Sequence, residues 1–183
     1  MDSTHAACFL SEWFLETFFR KKSFADTMYQ NKVLSLFFSY EIHIMFDQYI
    51  FTLEMQVRDY ELDYQGIVNN ANYLHYLEHT RHEFCRQAGL TFGEMHSMGI
   101  DPVLARVNIE YKTPLRIGDN FVSCLRLGRH GAAFIFFQDI YRPDGTPVLR
   151  AEVTVACIEN GHLTRGERLL EAFGKYIEPS KVS

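Results

Sequence analysis

The sequence predicts an α+β fold, one long helix lying on an antiparallel sheet of five strands. Three observations carry this. The stretch from Asp63 to Gly89 reads as an acid on a short loop, a glycine at Gly66, and then a single long helix; no other stretch after residue 45 looks helical for as long. Five further stretches alternate apolar and polar residues with the period of a half-buried strand. The last four are joined largely by short turns, and hairpin-length turns require antiparallel neighbours. One helix covering one sheet face makes two layers. An open-edged single sheet commonly pairs with another copy, so a homodimer or homotetramer is expected.

Taken in order, the first strand sets Phe51, Leu53, Met55 and Val57 against Thr52, Glu54, Gln56 and Arg58. Asn72, a residue type that satisfies free N–H groups at a helix start, is the expected opening of a helix over 72–88. Tyr73, Leu74, Leu77, Phe84 and Ala88 follow at near-helical spacing, and Gly89 is a natural stop. Leu90 to Pro102 reads as a connector. Val103, Ala105, Val107, Ile109 and Tyr111 then alternate with Leu104, Arg106, Asn108 and Glu110. Strands over 121–128, 134–141 and 148–158 are separated by Gly131 and by Pro143-Asp144-Gly145, and Asn160-Gly161 closes the last. The tail from Arg165 carries Leu169, Leu170, Phe173 and Tyr176 and reads as a short helix.

Composition narrows the function classes. The chain has 183 residues, enough for one domain with a sizeable core. With 47% hydrophobic and 22% charged residues it is an ordinary globular chain. A net charge of −5 gives no general affinity for nucleic acid. Cys8, Cys85, Cys124 and Cys157 are scattered, without the spacing of a zinc site or redox motif, and are expected to be buried, inert thiols in a reducing compartment. His75, His79 and His82 lie on the helix with no matching acid or cysteine cluster, so a solvated face is expected and no metal site. There is no Gly-x-Ser-x-Gly.

With Ile67-Val68 and Asn69-Asn70 after Asp63 and Gly66, Tyr73, Glu78 and Arg81 on the helix, and Ile109-Glu110-Tyr111, Pro114 and Gly118-Asp119 beyond it, the chain resembles the hotdog fold. More narrowly it is similar to 4-hydroxybenzoyl-CoA thioesterases and the small acyl-CoA thioesterases of the Tol–Pal gene cluster, over roughly residues 47–160. The resemblance implies a long central helix wrapped by a five-stranded antiparallel sheet. It also implies a cytoplasmic thioester hydrolase that cleaves acyl-CoA without metal or cofactor, coenzyme A being part of the substrate. Residue by residue, Asp63 takes the place of the catalytic carboxylate, and Asn70 the helix-start position whose backbone N–H faces the thioester carbonyl. The Tol–Pal type often has His there, so an imidazole role is not carried over. Val68-Asn69-Asn70 is also similar to acyl-ACP thioesterases, which usually have Asn and His where this chain has Gln65 and Ile67. Three functions are therefore weighed: an acyl-CoA thioesterase first, an acyl-ACP thioesterase second, and a non-catalytic acyl-CoA-binding protein third.

The residue chemistry fits the resemblance. Attack on a thioester puts negative charge on the carbonyl oxygen, and free N–H groups at a helix start stabilise it. Asp63 then activates water or attacks to give a mixed anhydride. Glu78 is either an ion-pairing residue or a second catalytic carboxylate. Candidate substrate contacts are Tyr64, Gly66, Val68 and Tyr73 around the loop, with Lys112, Arg116, Arg129 and His130 as cations for the phosphates of coenzyme A.

Residues 1–44 differ in texture. Phe9, Leu10, Trp13, Phe14, Phe18 and Phe19 fall on helical spacing before Arg20-Lys21-Lys22, and a second apolar run covers Val33 to Phe46. Neither reaches the roughly 20 apolar residues that cross a bilayer, and Asp2 stands where a secretory signal carries a basic residue. The segment is read as a helical appendage, as a peripheral membrane contact, or as lying outside the working protein, with Met45 as an alternative start to a 45–183 domain. The third is favoured. Intact-mass measurement on protein from the native source is expected to show a chain beginning at Met45; one beginning at Met1 overturns this.

Overall fold

The computed structural model describes residues 46–177. The expectations for residues 1–44 and for a start at Met45 lie outside them. Along the chain come β1 (Phe51–Gln56), α1 (Asn70–Gln87), α2 (Phe92–Ser97), β2 (Ile100–Tyr111), β3 (Asn120–His130), β4 (Ala133–Tyr141), β5 (Pro147–Glu159), β6 (His162–Thr164) and α3 (Glu167–Phe173). The sheet order is β1-β3-β4-β5-β2, all antiparallel, with β6 paired to the end of β5. This is the expected helix-on-sheet architecture with two additions. The connector holds α2, closed at its start by a Thr91/Glu94 capping box. The Asn160-Gly161 turn leads into the three residues of β6.

α1 begins earlier than expected. Asn69 is its cap, accepting the Ala71 N–H at 3.0 Å. Asn72 lies inside the first turn, and its amide donates to the Glu61 carbonyl at 2.6 Å. The helix buries Tyr73, Tyr76, Leu77, Thr80, Phe84 and Cys85 against the sheet. Leu74, placed on the apolar face by spacing alone, is 42% exposed. Two buried polar bonds fix the helix on the sheet. Thr80 Oγ shares a 2.8 Å hydrogen bond with Ser123 Oγ on β3, and the amide of buried Gln138 on β4 donates to the Leu77 carbonyl at 2.9 Å.

The regular alternation expected along β2 is broken. The register against β5 slips between Leu104 and Arg106, a bulge at Ala105. Ile109 and Val107 face the core side, and beyond the bulge Leu104 takes that side opposite Val155. Val103 is therefore half-exposed rather than buried; Tyr111, in phase with Ile109, is also half-exposed but packs its ring on Tyr73. β2 and β1 form the two edges of the sheet.

Leu77 is fully buried at the centre of the helix–sheet contact. Leu77→Ala should cost about 2–5 kcal/mol of stability, read as a lower denaturation midpoint in urea at unchanged slope.

Candidate active site

The segment between β1 and α1 is short and closely tied. Leu62 bridges Val68, the Asp63 N–H donates to the Ile67 carbonyl at 2.8 Å, and the Gly66 N–H donates back to the Asp63 carbonyl at 3.0 Å. Gly66 has φ +72, the left-handed conformation this loop requires and glycine adopts at little cost. The Asp-x-x-Gly spacing therefore has a backbone cause as well as a chemical use. Asp63 Oδ1 accepts the Gln65 N–H at 2.8 Å and, more weakly, the Ile67 N–H at 3.5 Å. Its Oδ2 has no partner among the described residues. Asp63 is thus both a turn residue and a half-buried carboxylate with one open oxygen.

The loop is joined to the helix start and to the β2–β3 connection. Val68, 1% exposed, donates its N–H to the Leu115 carbonyl at 2.9 Å, and the Leu115 N–H donates to the Tyr73 hydroxyl at 3.1 Å. The Asn69 N–H goes to the Glu61 carbonyl at 2.9 Å. Asn70 is the first helical residue, and its N–H has no partner among the described residues, as the geometry of a helix start dictates. Its side chain is exposed. An open carboxylate oxygen and an open N–H at the positive end of an 18-residue helix thus flank one corner of the fold.

The other expected site residues divide by position. Tyr64 is 94% exposed, and Tyr73 is buried in the core, its ring 5.9 Å from Tyr76 and 5.5 Å from Tyr111. Arg116 and Lys112 flank Leu115 and so share the end of the sheet that holds the loop. Arg116 is exposed, whereas the Lys112 ammonium pairs with Glu110. Arg129 and His130 lie at the far end of β3, whose two ends are about 30 Å apart. Arg129 is also occupied, donating to the Gly131 and Arg165 carbonyls at 3.0 and 2.7 Å and stacking on Phe134. Within one chain these two residues do not reach the Asp63 corner.

Glu78 lines a cavity of about 210 Å³ behind the second half of α1, with Arg81, Phe92, Leu104, Phe136 and Phe173 among its walls. Glu78 is eight residues from Asn70, about 12 Å along the axis, so the two do not meet at one carbonyl of the same chain. Arg81 donates to Gln138 Oε1 at 2.9 Å, and burial lowers its pKa from the usual guanidinium range. His75, His79 and His82 are exposed, His82 stacking on Phe92. Sequence reasoning missed Glu61 and Tyr76 beneath the loop. Their only linear signal was an acid two residues before Asp63.

Against known proteins, the chain matches the family described as the Thioesterase-like superfamily over residues 57–173. The chain belongs to that superfamily. It is 37% identical over 110 residues to a chloroplastic acyl-acyl carrier protein thioesterase of Arabidopsis thaliana, a match taking in 59% of this chain and 58% of that protein. It is 32% identical over 108 residues to the long-chain acyl-CoA thioesterase FadM of Escherichia coli, covering 58% of this chain and 81% of the other. The crystal structure of a hypothetical protein from Aquifex aeolicus superposes with a TM-score of 0.63 at 33% identity, covering 67% of this chain and 98% of that one. The curled antiparallel sheet around one helix is thus the hotdog fold expected from the sequence. No helix among the described residues is long and apolar enough to cross a membrane.

Cys85, Cys124 and Cys157 are free and buried. Burial pushes the Cys85 thiol up to about 12, outweighing the nearby Arg81 charge. At pH 8 a thiol reagent should leave Cys85 unmodified in the native protein and modify it fully in denaturant; rapid native labelling would contradict the burial.

Proposed function

We propose that the chain is an acyl-CoA thioesterase, hydrolysing an acyl-CoA to a carboxylic acid and free coenzyme A. The observation that carries this is the Asp63 corner, where a carboxylate with one open oxygen is held in its own turn by the Gln65 N–H, and the same loop runs on through Val68 and Asn69, both hydrogen-bonded, into a helix start whose first N–H is open. The thioester carbonyl oxygen takes the Asn70 N–H, which stabilises the charge that develops on attack. Asp63, held through Oδ1, presents Oδ2 to water or to the carbonyl carbon. In either case the C–S bond breaks and the departing sulfur takes up a proton. As general base Asp63 leaves no trace of itself; as nucleophile it passes through a mixed anhydride. Label on Asp63 after a single turnover in heavy-oxygen water identifies the anhydride route, since only water attacking the Asp63 carbonyl of the anhydride leaves its oxygen there.

The apolar cavity behind α1 suits an acyl chain, and exposed Arg116 suits a phosphate of coenzyme A. The edge of β2, with Leu104 at 53% exposure beside Val103, supports the expected pairing with a second copy. Such pairing offers a way for the Asp63 loop of one copy to meet Glu78 and the cavity of another.

One observation favours a second reading: the 37% identity to a plant acyl-acyl carrier protein thioesterase makes a carrier-protein thioester the alternative substrate. Thiol release measured on matched acyl-CoA and acyl-carrier-protein thioesters decides between them. Tight acyl-CoA binding with no thiol release from either would instead support a binding protein.

Asp63→Asn should lower turnover about a thousandfold or more at unchanged fold, in line with the loss of an acid–base or nucleophilic group. Near-normal turnover in that variant would remove Asp63 from the mechanism.

A further inference from the structure

Directly beneath the Asp63 loop lies a second carboxylate that the reaction as proposed does not use. Glu61 is 5% exposed. Its Oε2 accepts the Tyr76 hydroxyl at 2.6 Å and the Arg58 N–H at 2.7 Å. Its Oε1 is 3.6 Å from the largely exposed Arg58 guanidinium. The main chain of the same residue is equally engaged: the Glu61 carbonyl accepts the Asn69 N–H at 2.9 Å and the Asn72 side chain at 2.6 Å. Glu61, the last residue of the 3-10 turn at Asp59–Glu61, thus joins Arg58 at the start of that turn to the cap of α1, its first turn and its second turn.

Tyr76 is as firmly placed. It is 6% exposed and its ring lies 4.7 Å from Phe121 and 5.9 Å from Tyr73, both core residues. Burial, followed by the bond to Glu61, raises the Tyr76 hydroxyl above its ordinary range, so it remains a donor throughout the working pH range. A carboxylate taken out of water is costly unless hydrogen-bonded, and an apolar pair of similar volume would often be at least as stable. Stability alone therefore gives a weak reason for a charged joint here. Direction gives a better one. Apolar contacts fill space, whereas a 2.6 Å hydrogen bond from a tyrosine locked in the core sets a distance. The distance it sets is that between helix α1 and the chain segment entering the Asp63 turn, two residues before Asp63 itself.

Resting on the thioesterase reading above, we propose that Glu61 is a positioning residue for Asp63. Its bond to Tyr76, with its carbonyl bonds to Asn69 and Asn72, holds the Asp63 carboxylate in register with the open N–H of Asn70. It touches neither substrate nor reacting atoms. A displacement of about 1 Å between reacting groups costs up to a hundredfold in rate, so loosening this joint acts on the chemical step.

The test uses the whole chain and thiol release from acyl-CoA and acyl-carrier-protein thioesters. Tyr76→Phe keeps the ring and deletes the hydroxyl; Glu61→Ala deletes the acceptor. Each is expected to lower kcat by about ten- to a hundredfold with KM within about twofold, the pattern of an interaction lost only in the transition state. Glu61→Gln, which still accepts a hydrogen bond from Tyr76, should restore kcat to within about threefold of the parent. In an Asp63→Asn background, Tyr76→Phe should produce no further loss, because the joint works through Asp63. Unchanged kcat in Tyr76→Phe, a loss confined to KM, a Glu61→Gln variant as poor as Glu61→Ala, or an additive loss in the double variant would each overturn the assignment. Failure of the thioesterase reading looks different: the parent releases no thiol from either carrier, or Asp63→Asn releases it as fast as the parent.

Discussion

The structure depends on where one helix is seated on one sheet. α1 supplies Tyr73, Tyr76, Leu77, Thr80 and Phe84 to a core whose other wall is formed mainly by β3, β4 and β5. Apolar burial is non-directional and would tolerate sliding of the helix along the sheet. The hydrogen bonds from Thr80 to Ser123 and from Gln138 to the Leu77 carbonyl do not. They lie within the apolar contact, where unpaired polar groups are most costly. A shift of one residue would break both. The position of the helix start, and of its open N–H, follows from that seating.

Chemistry is then assembled from backbone as much as from side chains. The Asp63 turn is closed by its own carboxylate and by the left-handed Gly66, is held to the β2–β3 connection through Val68 and Leu115, and feeds directly into the cap at Asn69. The helix dipole and an unpaired amide are properties any helix start has. What is particular here is a carboxylate with one satisfied and one open oxygen fixed beside them. The same backbone that makes the turn supplies the geometry of the candidate site.

Polar groups recur at the places where the apolar core alone would leave position undefined. Glu61 and Tyr76 do this under the loop, and Arg81 and Gln138 do it beside the cavity. On the opposite face of the sheet, buried Asp139 accepts the Tyr49 hydroxyl at 2.7 Å and Arg150 Nε at 3.2 Å. The Glu61–Tyr76 and Asp139–Tyr49 bonds are buried, whereas Arg150 is largely exposed. In each, one partner belongs to the sheet or the loop and the other to a different segment.

The α+β class, the long helix, the five main strands and the Asp63 loop were legible in the sequence because periodicity and turn residues are local signals. Even the chemical suggestion at Asp63 rested on residues close together in the chain. What the sequence left open depended on distant partners. Asn69 rather than Asn72 caps α1 because Glu61 claims the Asn72 side chain. Leu104 rather than Val103 takes the inner side because a bulge changes the phase of β2 against β5. Tyr73 belongs to the core and Tyr64 to the surface, although both are aromatics within a dozen residues of Asp63. Arg129 and His130 carry the right charge for phosphate, but β3 carries them to the far end of the sheet. Local spacing determined which elements form; only tertiary hydrogen bonding and strand register decided which side chains share a corner, since those depend on residues that the chain brings together from far apart.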